Sequence, residues 1–149
     1  ALLRACGTND IEKVKELLSN PNCDVNVEDE YGIHPLHIAA IHPDRTMLIL
    51  LLQHPKIDVN CQDFLLQTPI FKAFRKDLLA NTEILLAHPN ININICDYSG
   101  ESILSSFSYD TYLSKLILDR IDENHFTETQ LNQLIEDGYD GETIFLLAF

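Results

Sequence analysis

The sequence predicts an all-α fold, a short solenoid of stacked helix–turn–helix repeats about 34 residues long. Three observations predict it. Nearly the same ten residues occur three times: LLSNPNCDVN from Leu17, LLQHPKIDVN from Leu51 and LLAHPNININ from Leu85. Pro21, Pro55 and Pro89 keep one register (55−21 = 34, 89−55 = 34), and so do Leu18/Leu52/Leu86, Asn26/Asn60/Asn94 and Asp29/Asp63/Asp97. Between the markers, each unit carries two short apolar stretches that cannot bury their faces alone and must stack on copies of themselves.

The elements of one unit, residues 29–62, follow in order. DEYGI has the polar-glycine composition of a turn, with Gly32 free to take positive φ. Pro35 then suits the first position of a helix, where its missing N–H costs nothing. Leu36, Ile38 and Ala39 continue that helix with residues small enough to let a neighbour approach. HPDR breaks it, and TMLILLLQH supplies a second, strongly apolar helix bracketed by Pro43 and Pro55. IDVN leads into the next turn.

Applied along the chain, this register gives a partial first repeat at 1–28, full repeats at 29–62 and 63–96, a repeat with an insertion at 97–139, and the start of a truncated repeat at 140–149. YDGETIF resembles YSGESIL, but Gly141 follows Gly100 by 41 residues (141−100). The excess holds TETQLNQLIEDG, where Thr127 and Gln130 form a capping-box pattern, so an inserted helix is expected at 128–136. Residues 1–28 begin without a turn and 140–149 leave an apolar helix uncovered, as expected of a segment of a longer protein.

With DEYGIHPLHIAA and the following LLL…DVN in place, the chain resembles the ankyrin-repeat family. Gly32, Pro35, Leu36, His37, Ala39 and Ala40 match its motif. DFLLQTPIFKAF keeps Thr68, Pro69 and Ala73; DYSGESILSSF keeps Asp97, Gly100 and Leu104, with Ser102 in place of Thr. The resemblance covers nearly the whole chain. Its departures are specific: Leu66 stands where glycine is expected, His34 where Thr caps the first helix, and Phe71 and Phe74 where His and Ala are usual.

The resemblance implies a non-catalytic protein–protein interaction module that grips its partner with hairpin tips and the exposed end of the first helix, on the concave face. The positions so implied are Glu30, Tyr31, Ile33, Ile41 and His42 in one layer, Phe64, Leu65, Gln67, Arg75 and Lys76 in the next, and Tyr98, Ser99, Glu101, Tyr109 and Asp110 in the third. Tyr31, Phe64 and Tyr98 are expected to line up, one per layer, as aromatic anchors of the kind interfaces favour. The alternative for Phe64 and Leu65 is that they fill space left by the missing glycine. The competing function is the targeting arm of an enzyme, or of a host-directed bacterial effector, whose catalytic domain lies outside this segment.

The recurrent asparagines are expected to hydrogen-bond the backbone turn that starts the next repeat. The family also implies that such an asparagine can be hydroxylated by a 2-oxoglutarate-dependent enzyme favouring Leu eight residues before and Asp-Val directly before. Leu18…Asp24-Val25-Asn26 and Leu52…Asp58-Val59-Asn60 match, making Asn26 and Asn60 candidates; Asn94, after Asn92-Ile93, lacks the acid.

Composition narrows the partner. Ten basic against twenty-three acidic residues give a net charge of −13. Phosphate recognition depends on Lys and Arg, so nucleic acid and anionic membrane are excluded as expected partners, and a basic or apolar protein surface is favoured. No apolar run reaches membrane-spanning length, and ALLRACGTND lacks the features of a secretory signal. The expectation is a cytoplasmic location, or the host cytosol for an effector, and a monomeric segment. Cys6, Cys23, Cys61 and Cys96 form no CxxC pair and are expected to be reduced. The histidines fall in repeat slots and are read as structural. No metal, cofactor or catalytic residue is assigned.

Overall fold

A computed structural model gives the structure of the protein, describing residues 1–103. It contains, in chain order, α1 (Leu2–Gly7), α2 (Ile11–Leu18), α3 (Pro35–Ala40), α4 (Thr46–Leu52), α5 (Pro69–Arg75) and α6 (Leu79–Leu86), with no strands among the described residues. The helices pair as α1/α2, α3/α4 and α5/α6. Helix α3 packs against both α1 and α5, while α2 packs against α4. The inner helices therefore stack in one layer and the outer helices back them.

Residue size explains this arrangement. Ala39, Ala40 and Ala73 on the inner helices are fully buried, which brings α1, α3 and α5 close together. The outer helices contribute the bulk, with Met47, Leu48, Leu51 and Leu85 fully inaccessible and Leu86 nearly so. Leu52, one residue off that face, is half-buried. Phe71 fills the slot that His37 occupies one repeat earlier, and it too is buried.

The links within each pair depend on a single position. Asn9 and Asp77 adopt left-handed φ of 54° and 55° between their helices, which Asn and Asp tolerate. The equivalent residue in the middle pair is Pro43 (9+34 = 43, 77−34 = 43), whose ring forbids that conformation. There the chain turns differently. Asp44 accepts hydrogen bonds from the Thr46 N–H (3.0 Å) and hydroxyl (2.8 Å), and α4 starts at Thr46, one residue later than the repeat register would place it.

The asparagines tie layers together, though not where expected. Asn26 donates from Nδ2 to the Lys56 carbonyl (2.7 Å) and accepts the Asp58 N–H on Oδ1 (2.8 Å). Asn60 repeats this with Asn90 (2.9 Å) and Asn92 (2.8 Å). The partner is thus the matching loop after the next outer helix, not the turn that opens the next repeat. Equivalent loops stack directly, so an amide in one reaches the backbone of the other. The expected inserted helix at 128–136 and the repeat starting at 140 lie outside the described residues.

Candidate protein-binding surface

Each hairpin tip is built on an aspartate. Asp29 Oδ1 accepts the N–H groups of Tyr31 (2.8 Å) and Ile33 (2.9 Å). Asp63 does the same for Leu65 and Gln67, and Asp97 for Ser99 and Glu101, at 2.9–3.0 Å. One residue in each turn is left-handed: Gly32 at φ +74°, Leu66 at +59° and Gly100 at +82°. Leu66 therefore keeps the turn type that glycine gives its neighbours, in a conformation that costs a side-chain-bearing residue roughly 1–2 kcal/mol. The Gln62 amide donates to the Leu66 carbonyl (2.9 Å) and helps hold it there.

Successive tips are joined edge to edge. The Phe64 N–H donates to the Tyr31 carbonyl (3.1 Å) and the Tyr98 N–H to the Leu65 carbonyl (3.0 Å). The approach is so close that a Cβ on Gly32 would stand 2.7 Å from Phe64 Cδ1 and 2.9 Å from its backbone nitrogen. These bonds also correct the expected alignment. Tyr31 is equivalent to Leu65 and Ser99, and Phe64 to Glu30 and Tyr98 (31+34 = 65, 64+34 = 98). Tyr31 and Phe64 are neighbours because the tips pair with a one-residue stagger, not because they share a repeat position.

The large side chains at these tips face solvent. Tyr31 is 64% exposed, Phe64 68%, Leu65 51%, Leu66 46% and Tyr98 69%. Glu30, Arg75, Lys76, Ser99 and Glu101 are exposed, while Ile33, Ile41, His42 and Gln67 are half-buried. Several have local partners. Arg75 pairs with Glu101 (3.0 Å) and lies 5.6 Å from the centre of the Phe71 ring. The Ser99 hydroxyl donates to Asp97 (2.7 Å), and the His42 carbonyl accepts from buried Asn81 (2.8 Å). Tyr109 and Asp110 lie outside the described residues. Leu66 was legible as a departure from glycine, but its exposure beside Phe64 and Leu65 was not.

Sequence reasoning also missed a cluster beneath the tips. His34, His37 and Cys61 bring ligand atoms within 4.8 Å of one another. Both ring nitrogens of His37 are already committed, and Cys61 Sγ lies 3.9 Å from His37 Nδ1. His37 Nδ1 accepts the His34 N–H (3.1 Å), and His37 Nε2 bonds the Gln67 carbonyl (2.8 Å) in the next layer. His34 Nδ1 bonds the Gly32 carbonyl (2.9 Å). Burial, with the nearby Asp58 charge, pushes the Cys61 thiol up to about 12, so it stays protonated. Burial also lowers His37 to about 4, assisted by Lys72 and His34 and opposed by the Gln67 bond and Asp63. A neutral His37 with Nε2–H suits both of its bonds. The cluster behaves as a hydrogen-bonded joint between layers.

Lys72 pairs with Asp63 at 2.6 Å below the middle tip. Burial alone would raise the Asp63 pKa; the Lys72 bond and the Gln67 N–H outweigh it and hold the carboxyl below the ordinary range. The aspartates at the tips are therefore turn-builders.

No helix among the described residues is long and apolar enough to cross a membrane. No curated protein matches the chain significantly. A family model for ankyrin repeats in three copies matches residues 2–105, which take in the three helix pairs described above. The chain belongs to the ankyrin-repeat family, whose members are generally protein–protein interaction modules.

Proposed function

We propose that the edge formed by the hairpin tips, with the half-buried residues that follow α3 and the exposed end of α5, holds a protein partner, and that these residues bind without catalysing. The observation that supports this most is the set of large apolar side chains left in water at Tyr31, Phe64, Leu65, Leu66 and Tyr98. Their backbones are fixed by aspartate bonds and tip-to-tip bonds, so a partner meets side chains whose anchors are already ordered. Aromatic anchors supply interface energy, and the acidic surface tunes the encounter rate.

The test compares the wild type with the triple variant Tyr31→Ala/Phe64→Ala/Tyr98→Ala for capture of a partner from lysate, followed by titration of the purified pair. The variant is expected to melt within a few degrees of the wild type, because exposed substitutions are mild. Its affinity should fall by about 2 kcal/mol or more, close to thirtyfold. Equal affinity with a folded variant places the site elsewhere.

A second reading concerns Asn26 and Asn60 as hydroxylation sites, favoured by their Leu…Asp-Val context. Both side-chain amides hold the next layer's loop, so an enzyme must first open that loop locally. Peptide mass spectrometry after incubation with an asparaginyl hydroxylase should show one added oxygen at each, and little at Asn94. Faster labelling is expected in a destabilised variant. Labelling at Asn94 equal to that at Asn60 contradicts the motif.

A further inference from the structure

Three consecutive apolar residues, Phe64, Leu65 and Leu66, stand exposed at the middle tip, and the last sits in the left-handed region. The turn does not require the last of them. A glycine at position 66 would form the same turn without the steric cost, as Gly32 and Gly100 do. The Phe64 ring leans over Gly32 of the preceding tip and its N–H donates to the Tyr31 carbonyl there, and residues 28–30 lead into that tip. There Glu28 and Glu30 are exposed, and neither is paired with a lysine or arginine among the described residues; Glu28 lies 3.8 Å from His34 Nε2, and Asp29 is taken up by the turn. The other two tips differ, since Asp63 is paired with Lys72 and Glu101 with Arg75.

We infer that the Phe64–Leu65–Leu66 tip, with the Glu28 and Glu30 carboxylates of the preceding tip, reads one kind of partner, an apolar protein segment carrying lysine or arginine on one flank. The inference rests on the tip-binding reading above and adds the chemistry of the occupant. The apolar tip offers contact area that water disfavours. The Glu28 and Glu30 carboxylates choose the flank by charge complementarity, reinforced by the chain's net charge of −13. The carboxylates are exposed, so their attraction should be screened as salt rises, whereas the apolar contact should persist.

The test selects a phage-displayed library of random peptides on the whole chain, then titrates the enriched peptides as labelled synthetic probes. The enriched peptides should join apolar residues to a basic flank. Leu66→Gly should fold at least as stably as the wild type yet bind about tenfold or more weakly, since it removes only the exposed side chain. Glu28→Gln/Glu30→Gln should weaken binding several-fold at low salt and flatten its salt dependence. Enriched peptides that need Phe64 and Leu66 but show no basic bias overturn the partner chemistry and leave tip binding standing. Peptides indifferent to both sets of variants, or no enrichment at all, overturn both.

Discussion

His34 and Thr68 begin equivalent helices in different ways, and the difference has a measurable consequence. Thr68 caps α5 by accepting the Phe71 N–H at its own hydroxyl (3.4 Å). His34 has no hydroxyl, so His37 takes over, accepting the His34 N–H and bridging to Gln67 in the next layer. Where Thr caps, the His37 slot is free to hold Phe71. The bridging ring must be neutral, and its folded pKa of about 4 lies below the ordinary 6.5. Between those values the unfolded chain binds a proton that the folded chain refuses. Stability from this group is therefore complete above about pH 6.5 and falls as pH drops towards 4, by on the order of 2–3 kcal/mol. Asp63, with its pKa lowered, adds a further loss at still lower pH. Urea titrations at pH 7 and pH 4.5 should show the drop, and His37→Gln should be less stable at pH 7 but flatter across the interval. An equal slope in the variant moves the effect to another group.

At the scale of elements, the layers depend on the outer helices. Leu85 on α6 is fully buried, and Leu85→Ala should cost about 2–5 kcal/mol in a denaturant titration, because the layer cannot close around the cavity. Leu79, at the start of the same helix and exposed, should cost well under 1 kcal/mol when truncated, since it leaves no cavity. A loss below about 1 kcal/mol at Leu85 contradicts the packing described. The helices were legible because Pro35 and Pro69 mark the starts of α3 and α5 and the leucine runs of the outer helices repeat in register. The loops were less so. The start of α4 at Thr46 was legible from the HPDR break, whereas that Asn26 would reach Lys56 instead of the next turn depends on how layers stack, which spacing alone does not define. The candidate edge was legible only by family position. The stagger that makes Tyr31 a neighbour of Phe64 comes from a backbone bond between tips.

For the whole molecule, the solenoid separates two jobs. Buried positions repeat almost unchanged from layer to layer, as Leu51 and Leu85 or Ala39 and Ala73 do. The tips vary on that constant frame: Glu30-Tyr31-Gly32, Leu65-Leu66 after Phe64, and Tyr98-Ser99-Gly100. Because each tip is bonded to the next, the variable residues form one edge, not three separate loops. This edge is the proposed meeting point with the partner. Amide hydrogen exchange of the chain, free and saturated with a purified partner, tests it most directly. New protection is expected at 29–33, 63–67 and 97–101, with α2 and α4 unchanged. Protection confined to α2, α4 or the loops of Asn26 and Asn60, with the tips unaltered, would contradict it.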